Sequence, residues 1–85
     1  MVRLYGFDEC PYCQELKGLY DENDVEYTFV DVTLDENEAE CEKLFKITKD
    51  ESVPVVLVNK TLLAPDSSFK TIQEAYELTL KFLNQ

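Results

Sequence analysis

The chain has 85 residues, with 8 Lys and Arg against 18 Asp and Glu, three cysteines and no histidine. That length suits one domain, residues 1–85, able to bury roughly 60–65% of its extended-chain surface. The acidic balance makes nucleic acid a poor partner, because phosphate backbones need clustered Lys and Arg, and the lack of histidine removes Ser–His and Cys–His hydrolase chemistry. No apolar run approaches the ~20 residues of a membrane helix, so no membrane association is expected. Met1-Val2-Arg3-Leu4 begins no signal peptide, and the odd, low cysteine count argues against a secreted disulfide scaffold. The expected location is cytoplasmic. Three thiolates, one of them remote, also leave a four-coordinate zinc site a ligand short.

Val2 to Phe7 reads as a first strand, rich in apolar and aromatic residues. Pro11 stands where a helix accepts proline, and Cys13, Leu16, Leu19 and Tyr20 continue an apolar face to about Asn23. Glu26 to Val32 alternates Tyr27 and Phe29 against Thr28, Val30 and Val32, which predicts a second strand. Thr33 followed by Glu36 matches a capping box, and the helix it would start has Cys41, Leu44 and Phe45 as its apolar stripe. Acidic residues fill its beginning and Lys43, Lys46 and Lys49 its end, as the macrodipole prefers.

Val55 to Val58 is a continuous apolar run, predicting a buried strand, and Asn59-Lys60 makes a turn into an edge strand, Thr61 to Ala64. Ser67 or Ser68 is the expected cap of a last helix whose face is Ile72, Ala75, Tyr76, Thr79 and Leu83. The order is β-α-β-α-β-β-α. Interleaved helices imply right-handed crossovers and an α/β sandwich with a mixed sheet covered on both faces.

Cys10-Pro11-Tyr12-Cys13 carries the chemistry. A thiol–disulfide exchanger needs one thiolate to attack and a second thiol near enough to release the mixed disulfide. The spacing puts Cys10 at the helix N-cap, exposed to the unpaired amides and positive end that favour a thiolate. Cys13 falls one turn in, more buried and on the same side. Pro11 removes an amide the helix would leave unpaired. Tyr12 is expected at the rim as a substrate contact, and Cys41 as a small buried apolar residue.

The tetrapeptide is identical to the active-site sequence of dithiol glutaredoxins, and Leu4-Tyr5-Gly6 before it resembles their first strand. Ser52-Val53-Pro54 ahead of the Val55–Val58 run resembles the family's Thr-Val-Pro segment. The similarity covers essentially the whole chain in element order. It implies a thioredoxin-like, glutaredoxin three-layer sandwich with a four-stranded mixed sheet, and a thiol–disulfide oxidoreductase. By the same resemblance, Cys10 is the nucleophile, Cys13 resolves, and a Cys10–Cys13 disulfide forms in turnover. Pro54 is cis and the Val53 backbone pairs with extended substrate; Tyr12, Ser67 and Ser68 complete the substrate or glutathione site.

The resemblance implies no tightly bound cofactor or metal, with glutathione as co-substrate. The implied partners are disulfide-containing proteins, including ribonucleotide reductase, and glutathione or thioredoxin reductase as electron source, with the chain acting as a monomer. Three positions depart from the family pattern. Phe7 stands where a Lys or Arg precedes the first cysteine, Asp50 or Glu51 stands where a basic or Gln residue precedes the Val-Pro, and Ser67-Ser68 with Phe69-Lys70-Thr71 replace Gly-Gly and the following Asp. An anion there repels what a cation would attract, which keeps a glutathione-independent redoxin as an alternative. An iron–sulfur cluster held between two subunits is a second, and a non-catalytic adaptor with a static bridge a third.

Overall fold

In the computed structural model, which describes all 85 residues, the apolar segments assemble into one four-stranded sheet. The elements are β1 (Val2–Gly6), α1 (Pro11–Glu22), β2 (Thr28–Asp31), α2 (Glu38–Thr48), β3 (Val55–Val58), β4 (Thr61–Leu63) and α3 (Ile72–Leu83). A single 3-10 turn, Asp35–Asn37, leads into α2. Strand order is β2-β1-β3-β4, with β1 and β2 parallel and the other two pairs antiparallel. No helix is long and apolar enough to cross a membrane.

Side chains alternate across a strand, so β1 feeds two cores at once. Val2 and Leu4 join Val56, Val58 and Leu63 beneath α1 and α3, which contribute Leu16, Tyr20, Ile72 and Ala75. Tyr5 points the other way and joins Val30, Val55, Cys41 and Leu44 under α2. Two helices on one face and one on the other make the expected three-layer sandwich.

Each layer is fastened by one polar device. Between α1 and α3, the Tyr20 hydroxyl lies 2.7 Å from Thr79 Oγ1, and Thr79 donates its own proton to the Ala75 carbonyl at 2.8 Å. A threonine hydroxyl has one proton, so Tyr20 must be the donor to Thr79. Between β1 and α2, Glu40 accepts from both Arg3 Nε and Nη2, at 3.1 and 2.8 Å, and from the Tyr5 hydroxyl at 2.5 Å. The Tyr5 bond, then Arg3, holds the Glu40 carboxyl below its ordinary range, against the opposing effect of partial burial. Neither device stands out in the sequence, because each joins residues remote along the chain.

Several boundaries differ from those the sequence predicts. β2 is shorter than Glu26–Val32 because β1 offers it partners only from Arg3 to Gly6. Tyr27 lies outside the ladder, its ring 5.2 Å from that of Tyr20. The Thr33–Glu36 capping box does not form: Asp31 Oδ1 takes the Thr33 amide at 2.8 Å and its hydroxyl at 2.6 Å, which leaves Thr33 engaged in a turn. Consequently α2 begins at Glu38. Nor do Ser67 or Ser68 cap α3. That helix starts later, at a full capping box in which the Thr71 hydroxyl accepts from Glu74 N and the Glu74 carboxylate accepts from Thr71 N. The Asn59-Lys60 turn is as expected, with Asn59 in the left-handed region (φ 55°) and paired with Met1 at both backbone and side chain; β4 ends one residue early, at Leu63.

Candidate functional site

Cys10 is the N-cap of α1, with extended backbone angles (φ −81°, ψ 114°) and Pro11 in the first helical turn. Its Sγ accepts the Cys13 amide at 3.3 Å, so the thiol carries out the capping that a serine or aspartate oxygen would perform. The cap also explains a departure from expectation. Cys10 is only 6% exposed, because Sγ turns inward over the first turn to reach that amide instead of projecting outward.

Cys13 is fully buried. Its Sγ packs against Gly6 at the end of β1, where a Cβ would stand 2.5 Å from the sulfur. Burial, reinforced by the bond to Cys10, pushes the Cys13 thiol up to about 12. A backbone bond from Phe7 and the positive charge of Lys17 act in the opposite direction. The two sulfurs thus lie on the same helix turn, both buried, Cys13 completely and Cys10 at 6% exposure. Cys41 is buried on the opposite face of the sheet, in the α2 core, and takes no part in the site.

An open cleft of about 500 Å³ lies beside the first turn of α1. One wall is Tyr12, which is 62% exposed, with Glu15. Another is the segment Ser52-Val53-Pro54, whose Val53–Pro54 peptide bond is cis. The third is Phe69, Lys70, Thr71 and Ile72 at the start of α3. Tyr12, Val53 and Pro54 therefore share one cleft.

Ser67 and Ser68 do not line it. Ser68 Oγ accepts from Ala64 N at 3.1 Å and Ser67 Oγ donates to Ala64 O at 3.5 Å, so both hydroxyls serve the loop. Lys70 and Thr71 take that wall instead, and the later start of α3 is what brings them there. Their backbone amides already donate to Glu74 Oε1, at 2.9 and 3.1 Å. Asp50, one of the two acidic residues before the Val-Pro segment, is likewise engaged, accepting from the amide and hydroxyl of Ser52 at 3.1 and 2.9 Å. Three or more His, Cys, Asp or Glu side chains do not converge anywhere in the molecule in a way that could hold a metal ion.

The comparisons agree with this geometry. A family model described as glutaredoxin matches residues 2–63. No curated protein matches the sequence. Among solved structures, the thioredoxin-like protein BC3987 is similar at a TM-score of 0.71 and 23% identity, covering 92% of this chain and 99% of that one. The buckwheat glutaredoxin–glutathione complex is similar at 0.73 and 18% identity, over 98% of this chain and 76% of that one. Glutaredoxin from Archaeoglobus fulgidus is similar at 0.70 and 20% identity, over 99% and 86%. These likenesses establish the thioredoxin-like fold. The family match spans both the Cys10-Pro11-Tyr12-Cys13 turn and the Val53–Pro54 segment, and the chain belongs to the glutaredoxin family of thiol–disulfide oxidoreductases.

Proposed function

We propose that Cys10 and Cys13 are the redox pair and that the cleft beside them receives an extended segment of a disulfide-bearing protein. The Cys10 thiolate attacks the substrate disulfide R–S–S–R′, forming Cys10–S–S–R and releasing R′–S⁻, which takes up a proton. Cys13 then attacks Cys10 Sγ, closing the intramolecular disulfide and releasing R–S⁻. The observation that carries this reading is the pairing of Cys10 Sγ with the Cys13 amide at the start of α1, which aims a helix N-terminus at the attacking sulfur. Tyr12 and the Val53 backbone hold the substrate, with Pro54 forming the floor behind them.

Electrons reach the oxidised pair from glutathione or from thioredoxin reductase, and the second source is favoured by the state of the cleft. Lys70 is its only cation, and the carboxylate of Glu15 lines the same cleft. The amides of Lys70 and Thr71 are taken by Glu74, and Phe7 brings no charge. An anionic tripeptide finds little to hold its carboxylates there. A monomeric cytoplasmic donor to protein disulfides, ribonucleotide reductase among them, fits this description. The test is reduction of a protein disulfide and of a glutathione mixed disulfide in parallel, each driven by glutathione with its reductase or by thioredoxin reductase. Turnover that needs Cys10 with either reductant supports the redox reading, and a preference for glutathione would overturn the assignment of the electron source. A brown colour on anaerobic purification would move the reading to cluster binding.

A further inference from the structure

Cys13 poses a problem that the proposed reaction must solve. It has to become a thiolate to close the disulfide, yet it is fully buried and its burial opposes ionisation. The groups with charge or titratable protons that bear on it are Cys10 and Lys17, both on α1; Asp8, in the turn before α1, and Asp31, at the end of β2, interact in turn with Lys17. Of these only Lys17 is positive.

Lys17 follows Cys13 by four residues, so the two side chains lie on one face of α1. Its ammonium is held in place rather than free in solvent. Nζ sits 4.2 Å from the centroid of the Phe29 ring and 3.6 Å from Asp8 Oδ1, and the side chain is 24% exposed. Phe29 in turn stands against the spot at Gly6 that touches Cys13 Sγ: a Cβ on Gly6 would be 3.7 Å from Phe29 Cε1 and 2.5 Å from that sulfur. Cys13, Gly6, Phe29 and Lys17 thus form one packed row, with the cation at its end. A charge kept over an aromatic ring at the edge of an apolar site acts through poorly screened surroundings.

Building on the redox pair proposed above, we infer that Lys17 is a positioning residue for the resolving step, favouring the Cys13 thiolate that attacks the Cys10 mixed disulfide. The step balances without any further reactant. Cys13 gives its proton to solvent, a Cys13–Cys10 bond forms, the Cys10–S–R bond breaks, and the departing R–S⁻ recovers a proton.

The test follows the two phases of reaction with Ellman's reagent in a Cys41→Ser background, since each phase releases one coloured thiolate. The first reports attack by Cys10 and the second reports resolution by Cys13. Lys17→Met keeps the apolar stem against Phe29 and removes the charge, whereas Lys17→Arg keeps the charge. The expected result is a second phase about three- to fivefold slower at neutral pH in Lys17→Met, with its pH profile moved to higher pH. The first phase is unchanged, and Lys17→Arg matches the parent. A second-phase pH profile in Lys17→Met that superimposes on the parent's would overturn the role of Lys17 and leave the redox pair standing. A parent protein that shows no second phase would overturn the redox pair, and this inference with it.

Discussion

Gly6 and Cys13 meet at a contact that only glycine permits. A Cβ at Gly6 would lie 2.5 Å from Cys13 Sγ and 3.1 Å from its Cβ, and the backbone of Gly6 is otherwise unremarkable in φ. The end of β1 and the first turn of α1 are therefore set against each other by the Cys13 side chain itself. Gly6→Ala must push α1 outward or turn the Cys13 side chain. It is expected to cost about 1–3 kcal/mol, the usual range for overpacking a core. Disulfide reduction should slow by more than the loss of folded protein accounts for. Denaturant midpoints measured beside turnover under conditions where the variant is fully folded would check both parts.

The two cysteines should fail differently. Cys10→Ser removes the attacking sulfur and is expected to abolish reduction of every disulfide. Cys13→Ser leaves attack intact but removes resolution, so the protein should accumulate as a mixed disulfide with its substrate, visible by mass spectrometry without reductant. Retention of full activity by Cys10→Ser would remove the basis for assigning the nucleophile.

The glutathione question can be addressed at two positions. Glu74→Ala frees the amides of Lys70 and Thr71, at the cost of the α3 capping box, worth about 0.5–2 kcal/mol. Phe7→Lys adds a cation before Cys10. One exposed charge is worth about 0.2–1 kcal/mol, so the gain in rate with glutathionylated substrate should be only a few-fold. Each variant should lower the glutathione concentration needed for half-maximal rate, while thioredoxin-reductase-driven turnover stays as it was. If titration finds no tighter binding in either variant, neither position faces the tripeptide.

The helix start at Cys10-Pro11-Tyr12-Cys13 and the sheet were legible because both rest on short-range pattern. Cys10-Pro11-Tyr12-Cys13 is a local motif at a helix start, and the Val55–Val58 run and the Asn59-Lys60 turn follow from neighbouring residues alone. What was missed depends on competition between partners. Thr33 could serve a helix or the Asp31 turn, and two bonds to one carboxylate oxygen decide for the turn. Ser67 and Ser68 were plausible caps by type, but Thr71 followed three residues later by Glu74 is the stronger pair, and it was present in the sequence to be found. Cys10 was expected to be exposed because a nucleophile must be reached. The thiol instead spends its reduced state as a helix cap. Lys17 lay in plain sight as an i+4 neighbour of Cys13, but only the fold shows that Phe29 and Asp8 hold it there.

The Tyr20–Thr79–Ala75 hydrogen bonds between α1 and α3 should respond asymmetrically to substitution. Thr79 donates to Ala75 O, so the buried Tyr20 hydroxyl depends on Thr79 as its acceptor. Thr79→Val strands that hydroxyl and is expected to cost about 1–3 kcal/mol, the penalty of an unpaired buried polar group. Tyr20→Phe removes the donor and leaves Thr79 bonded to Ala75, so it should cost less. Urea midpoints of the two variants give the order directly, and a larger loss in Tyr20→Phe would mean that the proton runs the other way.

Stability should also fall on the alkaline side under reducing conditions. Burial pushes the Cys13 thiol from 9.0 to about 12, aided by its bond to Cys10, and burial pushes the Tyr20 hydroxyl from 10.0 to about 12. Both groups are neutral when protonated, and the fold favours that neutral form. In the unfolded chain they ionise near their ordinary values, so the unfolded state gives up protons first as pH rises. Unfolding then becomes more favourable with each step in pH above about 9 until the folded-state groups ionise too. The stabilisation is therefore complete below pH 9 and declines between about 9 and 12. Cys13→Ala removes one of the two groups, and its stability curve, although lower at neutral pH because a packed sulfur is lost, should fall less steeply from pH 9 upward. Urea unfolding from pH 7 to 11 with excess reductant measures the slopes. Equal slopes in the parent and Cys13→Ala would show that the Cys13 thiol ionises as readily in the fold as in the open chain, against the burial that surrounds it.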